Sequence, residues 1–163
     1  MTKNLYFERK LLSIKGKATI TDEAGNVVYQ TENKIFSLRP TFYIQDASGN
    51  TVATITGKAV SLLPKFFVEI DGREKVTITK KISFLKPKYE IDGAGITVNG
   101  NYLDMNFEIL KNGAKIGQID KKWVSIKDKY QIEVDDESEE LLVLAMVLTV
   151  DFIKEQERRA ATN

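Results

Sequence analysis

The chain of 163 residues contains no cysteine and no histidine. These absences exclude disulfide bonds, thiol catalysis, zinc-finger chemistry, imidazole metal sites and every Ser-His or Cys-His nucleophile. Lysine and arginine together number 24 and aspartate and glutamate 23, which leaves a net charge of +1. The sequence therefore lacks the overall positive charge that is typical of a general nucleic-acid binder.

No hydrophobic run is long enough to cross a bilayer. The longest, residues 141–153, is interrupted by Thr149 and Asp151 and falls short of the roughly 20 residues that a membrane span needs. The first residues have no apolar core and no small-residue cleavage site, so we expect no secretory signal and a cytoplasmic location. With 42% hydrophobic and 29% charged residues, the chain can bury a core, and we expect residues 1–163 to form one domain.

A short motif recurs along the chain and sets the architecture. It consists of Lys, two further residues and Ser, with an apolar residue on each side of the Ser. The motif lysines are Lys10, Lys34, Lys58, Lys80 and Lys122. Successive motif serines lie 22 to 24 residues apart, except for a last interval of 42 residues, which is close to two units. We therefore expect a sixth, degenerate unit between residues 93 and 117.

Each unit predicts two β-strands joined by a hairpin turn. Apolar residues alternate with polar ones in segments 18–20, 42–44, 66–70 and 103–109, at the two-residue period of a strand. Between them lie turn sequences rich in Asp, Asn and Gly, at residues 22–26, 46–50, 71–72 and 111–113. Six units of two strands predict about twelve antiparallel strands over residues 5–134, stacked as a sandwich or closed as a barrel.

The C-terminal segment predicts a helix over residues 137–158. Asp136 and Glu139 form a plausible capping box, and residues 141–148 are apolar on every side of a helix. A helix of this kind must be buried, and threading it through a closed barrel buries every face. The expected fold is thus mainly β, a closed barrel of about twelve strands around a C-terminal helix. Asp151 then needs a partner or an exit to solvent at the barrel mouth.

These features together resemble the bacterial branch of the LURP-one-related family, from about residue 6 to residue 152. The resemblance is carried by the repeated Lys-x-x-Ser units, the Asp-x-x-Gly-Asn turns, the segment 121–126 and the ending Leu-Val-Leu-Ala-Met-Val-Leu-Thr-Val-Asp151. It implies a fold similar to the tubby C-terminal domain and the phospholipid scramblases. Tubby domains bind phosphoinositides through Lys and Arg, whereas scramblases bind calcium and are tethered by acylated cysteines. This chain has no cysteine and no Asp-x-Asp-x-Asp-Gly loop for calcium.

The five motif lysines are the candidate ligand-binding residues. Equivalent positions of a repeated barrel lie at similar heights, so Lys10, Lys34, Lys58, Lys80 and Lys122 would form a basic rim. Each shares its strand face with the apolar neighbours of the Ser, so we expect an inward-facing stem with a snorkelling head. Such a rim would bind phospholipid head groups or another phosphate. In the alternative interpretation, these lysines only end strands or neutralise the acidic residues of 135–140.

Other charged segments support weaker hypotheses. Residues 75–88 contain five lysines and no acidic residue, which fits a membrane-facing or nucleic-acid-facing edge or ordinary exposed strand lysines. The acidic run 135–140 lacks the spacing of a calcium loop and fits a helix start.

We expect no enzyme activity, no cofactor and no metal. The favoured interpretation is a binding domain for anionic lipid, located at the membrane periphery; the alternatives are a protein-interaction adaptor and, more weakly, nucleic-acid binding.

Overall fold

The computed structural model describes residues 2–9, 17–34, 39–58, 64–70, 75–81, 88–102, 104–120 and 129–161. These residues form twelve strands followed by one helix, as the sequence predicts. The strands are β1 (Lys3–Arg9), β2 (Ala18–Thr21), β3 (Val27–Lys34), β4 (Thr41–Asp46), β5 (Thr51–Gly57), β6 (Lys65–Ile70), β7 (Lys75–Lys81), β8 (Lys88–Asp92), β9 (Ile96–Asn101), β10 (Asn106–Lys111), β11 (Ala114–Asp120) and β12 (Lys129–Val134). A 3-10 turn (Glu137–Glu139) then leads into helix α1 (Glu140–Ala161).

The twelve strands form one antiparallel sheet that curls into a nearly closed barrel. The hydrogen-bonded order is β8-β7-β6-β5-β4-β3-β2-β1-β12-β11-β10-β9, so β8 and β9 are the two edges of the described sheet. The edges meet through side chains, because the rings of Tyr89 and Tyr102 pack edge to face with centroids 4.7 Å apart. Since every hydrogen-bonded neighbour is antiparallel, all odd-numbered strands run in the same direction.

The predicted turns recur with the same geometry. The side chain of Asp22 accepts from the backbone N–H of Ala24 and Asn26, and the side chain of Asp46 accepts from the equivalent groups of Ser48 and Asn50. Gly25 and Gly49 both have a φ of +86°, a conformation that glycine adopts without strain. Beside each turn the strand register shifts, between residues 20 and 21 and between residues 44 and 45. The sequence repeat is therefore a repeat of turns and β-bulges as well as of strands.

Helix α1 fills the centre of the barrel. Every residue from 142 to 150 is buried, as the apolar sequence on all sides predicts. The side chain of Asp136 caps the start by accepting from the N–H of Ser138. The predicted partner in the capping box, Glu139, instead receives a hydrogen bond from Lys111 of β10. Because the helix occupies the interior, the ends of the barrel are the places where polar groups from different strands meet.

The helix also distinguishes the two ends of the barrel. Its first residue, Glu140, forms an ion pair with Lys3, where the odd-numbered strands begin. Near its other end Phe152 packs against Phe42 and Phe66, with ring centroids 5.0 and 5.7 Å away, where the odd-numbered strands finish. We call these the acidic end, which holds residues 135–140, and the basic end. Asp151 is 6% exposed at the basic end, where it lies near Thr31 and Asn33.

Candidate functional site

The topology brings the described motif lysines to one end of the barrel. Lys34 is the last residue of β3, Lys58 directly follows β5, and Lys80 is the second-last residue of β7. Because these strands are parallel to one another, all three lysines lie at the basic end. Lys10 and Lys122 lie outside the described residues, although β1 and β11, which they follow in the chain, also finish at this end.

The three lysines do not share one orientation. Lys34 is exposed, and the expectation of an inward-facing stem is wrong for it, because Thr31 and Asn33 occupy the inward positions of β3. Lys58 is likewise exposed. Lys80 is half-buried and lies on the same strand face as the buried Val76 and Ile78. The arrangement is therefore a basic patch with two outer lysines and one lysine turned toward the barrel.

A fourth lysine and an exposed aromatic ring extend this patch. Lys65 begins β6, and its backbone carbonyl accepts a hydrogen bond from the N–H of Lys58. Nζ of Lys65 lies 5.9 Å from the centroid of the Phe67 ring, which is 43% exposed. Sequence reasoning missed both residues, because the alternating pattern places the Phe66 side chain in the core but does not show that Phe67 stays uncovered. We refer to Lys34, Lys58, Lys65, Lys80 and Phe67 as the basic patch.

The basic stretch 75–88 is divided between the two ends. Lys75 begins β7 at the acidic end, whereas Lys80 and Lys81 finish the strand at the basic end. Lys81 forms an ion pair with Glu90, with 3.0 Å between Nζ and Oε2. Lys88 begins β8 in register with Lys81, so among the described lysines of the stretch only Lys75 is separated from the others by the length of a strand.

Lysines outside the motif form ion pairs with the acidic run. At the acidic end, Lys3 pairs with Glu140 at 2.8 Å, Lys111 with Glu139 at 2.7 Å and Lys115 with Asp135 at 3.5 Å. The interpretation that the motif lysines neutralise this run is wrong for the three described ones, which lie at the opposite end. The acidic run and the three described motif lysines therefore lie at opposite ends of the barrel.

The pKa values of Lys3 and Tyr29, both at the acidic end, are raised. A hydrogen bond with Glu140 raises the pKa of Lys3 above its usual value, and the nearby carboxylates add to the effect. Burial raises the pKa of Tyr29 strongly, and its hydroxyl also donates a hydrogen bond to Oε2 of Glu140. Within the described ranges, the acidic side chains form no group of three that is placed to hold a metal ion. The acidic end is accordingly a set of ion pairs that fixes the start of the helix to the sheet.

Comparison with known proteins decides the family. Residues 3–151 match the LURP-one-related family, which is nearly the whole chain. The chain belongs to the LURP-one-related family. This confirms the resemblance noted from the repeats and the C-terminal motif. In the described part of this LURP-one-related chain, no helix is both long enough and apolar enough to cross a membrane.

Two individual proteins resemble this LURP-one-related chain, one in sequence and one in fold. It is 29% identical over 86 residues to the "Uncharacterized protein YxjI" of Bacillus subtilis (strain 168). The match covers 53% of each chain, so it spans about half the length of that relative. The X-ray structure of a protein from Arabidopsis thaliana has the same fold, with a TM-score of 0.65 and 19% identity. That likeness covers 93% of this chain and 91% of the other, and it establishes the fold alone.

Proposed function

We propose that this LURP-one-related domain is a non-enzymatic binding module whose basic patch engages the phosphate groups of an anionic membrane surface. One observation carries the proposal: the repeat places Lys34, Lys58 and Lys80 at one end of the barrel, a full strand length from the acidic run. Four lysines at one end form a surface suited to several phosphates at once.

The distance between the basic patch and the acidic run makes this patch effective. The carboxylates of 135–140 lie at the other end, where three of them pair with Lys3, Lys111 and Lys115, so they do not neutralise the basic patch. A lysine close to an anionic leaflet contributes roughly 1 kcal/mol to binding. The four lysines would therefore contribute about 4 kcal/mol, or close to a thousandfold in affinity. Such binding is reversible and weakens as salt increases.

Phe67 adds an apolar contact to the basic patch. Its ring is 43% exposed on the outer face of β6 and lies next to the ammonium group of Lys65. Aromatic rings beside basic groups are favoured at the boundary between head groups and acyl chains. This combination supports a membrane surface over a soluble phosphate compound, because only the membrane offers an apolar layer behind the phosphates.

The packing supports a binding role without catalysis. Leu144 and Ala145 are fully buried in the centre of the barrel, so helix α1 leaves no deep interior pocket at that level. The described groups of the basic patch are ammonium groups, which bind anions, and one aromatic ring, which offers an apolar contact. This set is suited to binding and differs from the paired acid and base that hydrolysis needs.

Co-sedimentation with liposomes tests the proposal. The protein is mixed with vesicles of phosphatidylcholine alone or with added phosphatidylserine, at about 50 and about 150 mM salt, a range over which screening increases. We expect binding to the anionic vesicles only, and weaker binding at the higher salt. Equal sedimentation with both vesicle types, or none with either, would overturn the proposal. A stable protein partner without lipid preference would then support the adaptor hypothesis.

A further inference from the structure

A cavity of about 350 Å³ lies at the acidic end, away from the basic patch. Its walls come from five parts of the fold: the end of β6, the start of β7, the turn between β8 and β9, the end of β10 and the start of the helix. The volume is at the lower end of the range of roughly 300–1,000 Å³ that small-molecule sites occupy. Its described lining includes none of Lys34, Lys58 and Lys80.

The inner part of the cavity is aliphatic. Ile70, Val76 and Leu142 line it and are 3%, 1% and 4% exposed, respectively, so they form the deep wall. These three side chains come from β6, β7 and α1, and the surface that they present is branched and without polar atoms. A ligand held here gains free energy by burying an aliphatic group of similar size, at about 25 cal/mol per Å² of apolar area.

Among the described residues that line the cavity, one is positively and one negatively charged. Nζ of Lys111 lies 2.7 Å from Oε1 of Glu139, and the two side chains are 28% and 15% exposed. Ser138, which is exposed, lines the outer rim, and its hydroxyl donates a hydrogen bond to Asp136. The ion pair therefore lies between the aliphatic wall and solvent, where a polar head group would be held.

The turn between β8 and β9 makes the cavity a preformed feature. Ala94 lines the cavity with a φ of +55°, and the carbonyl of Gly95 accepts a hydrogen bond from the N–H of Asn112 at 2.9 Å. A Cβ on Gly95 would lie 2.0 Å from Oδ1 of Asn112, so the turn is packed closely against the β10–β11 hairpin. This wall does not need to be reorganised when a ligand enters.

We propose that this cavity binds a small zwitterion with an aliphatic side chain, the chemistry of a free aliphatic amino acid. The ligand carboxylate would pair with Lys111 and its ammonium group with Glu139, while the side chain packs against Ile70, Val76 and Leu142. A zwitterion gives each member of the ion pair a new partner of opposite charge. A ligand with a single charge can pair with only one of these two groups, whereas a zwitterion pairs with both.

The surrounding charge argues against a simple carboxylate such as a fatty acid. The run 135–140 holds five acidic groups, and the described ion pairs there involve three lysines, so the excess negative charge disfavours an anion. A zwitterion carries no net charge and is not repelled in this way. The inference uses none of the residues of the basic patch, so failure of vesicle binding would leave it standing.

Isothermal titration of the full chain with L-leucine tests the inference, with isovalerate and isoamylamine as probes that keep only one charged group each. We expect leucine to bind more tightly than either probe by at least about tenfold. Glu139→Gln and Lys111→Met should each weaken leucine binding by about tenfold or more. Lys115→Met is the matched control: its lysine forms an ion pair at the same end but does not line the cavity, so leucine affinity should stay within about twofold.

Three results would overturn the inference. They are no heat of binding with leucine at about 10 mM, equal affinity for leucine and isovalerate, or unchanged affinity in both Glu139→Gln and Lys111→Met. Circular dichroism of each variant checks that it is folded. If one of the two cavity variants does not fold, the other still decides the result, because the residues belong to different elements.

Discussion

Gly117 of β11 faces Val143 of the central helix so closely that a Cβ on the glycine would lie 2.7 Å from Cγ1 of Val143. The same Cβ would lie 2.8 Å from the backbone oxygen of Glu133 on β12. The helix therefore packs directly on the strand backbone at this point, and only the absence of a side chain permits the approach. This contact fixes the height of the helix inside the barrel.

Gly117→Ala is expected to destabilise the protein. The added methyl group meets both Val143 and backbone, and overpacking of this kind costs about 1–3 kcal/mol of unfolding free energy. Urea unfolding measures the effect. The same substitution in a Val143→Ala background should cost less, since part of the clash is removed. An unchanged urea midpoint in the single variant would show that the helix does not contact the sheet as described.

Leu144→Asp tests whether the helix is the core of the barrel. Leu144 is fully buried, so the variant places an unpaired carboxylate at the centre and should cost about 3–5 kcal/mol, with Ala145→Asp behaving similarly. Val27→Asp is the matched control, because Val27 is 41% exposed on β3 and its replacement should cost less than about 1 kcal/mol. A Leu144→Asp protein that melts like the wild type would contradict the fold.

Stability is expected to fall at alkaline pH through Tyr29 and Lys3. The pKa of each is raised in the folded protein, so each contributes stability below its unfolded pKa, about 10 for Tyr and 10.4 for Lys. As the pH rises above those values, the unfolded chain releases protons that the folded chain retains, and the free energy of unfolding decreases. The measurement is urea unfolding at pH 8 and at pH 10.5.

Tyr29→Phe isolates the contribution of the tyrosine. The variant loses the hydrogen bond to Glu140, at a cost of about 1 kcal/mol at pH 8, but it should lose less further stability between pH 8 and pH 10.5 than the wild type does. Tyr43→Phe is the control. It keeps the contact between Tyr29 and Glu140, so it should lose as much unfolding free energy at alkaline pH as the wild type does. If Tyr29→Phe and the wild type lose the same unfolding free energy between pH 8 and pH 10.5, Tyr29 is not the source of the alkaline loss.

Phe67→Ser tests the apolar part of the basic patch. Its ring is 43% exposed, so the change should alter stability by less than about 0.5 kcal/mol. Binding to anionic vesicles should weaken by about threefold to tenfold, because the ring no longer enters the interface. Val27→Ser removes an equally exposed apolar group at the acidic end and should leave binding unchanged. Equal losses in the two variants would mean that Phe67 has no special contact with the membrane.

Much of the fold could be predicted because short sequence patterns indicate its strands, its turns and its helix. Alternating apolar residues identify the strands, and the Asp-x-x-Gly-Asn turns form the same hydrogen bonds at Asp22 and Asp46. The helix is apolar on every side, which leaves the centre of the barrel as its only location. The prediction that Lys34 points inward is wrong, because β3 continues to Lys34 and Asn33 takes the inward position. That register depends on pairing with β4, which the repeat alone does not determine.

The cavity could not be predicted from the sequence. Lys111 belongs to a Lys-Asn-Gly turn, and Glu139 fits a capping box, so each residue has a sufficient local explanation. Their contact depends on a bulge, because the register shift between residues 109 and 110 leaves Ile116 without a partner. The carbonyl of Ile116 accepts hydrogen bonds from the N–H groups of Asp135 and Asp136, which directs the chain toward the cavity. Contacts of this kind arise from tertiary packing and have no periodic signal.

A matched pair of charge reversals tests the central claim, that one end of the barrel binds anionic membranes. Lys58→Glu and Lys75→Glu each change the net charge from +1 to −1, but Lys58 lies at the basic end and Lys75, whose side chain is 78% exposed, at the acidic end. In liposome co-sedimentation at about 50 mM salt, Lys58→Glu should weaken binding to anionic vesicles by about tenfold or more. Lys75→Glu should bind within about twofold of the wild type, and equal losses in the two variants would contradict the claim.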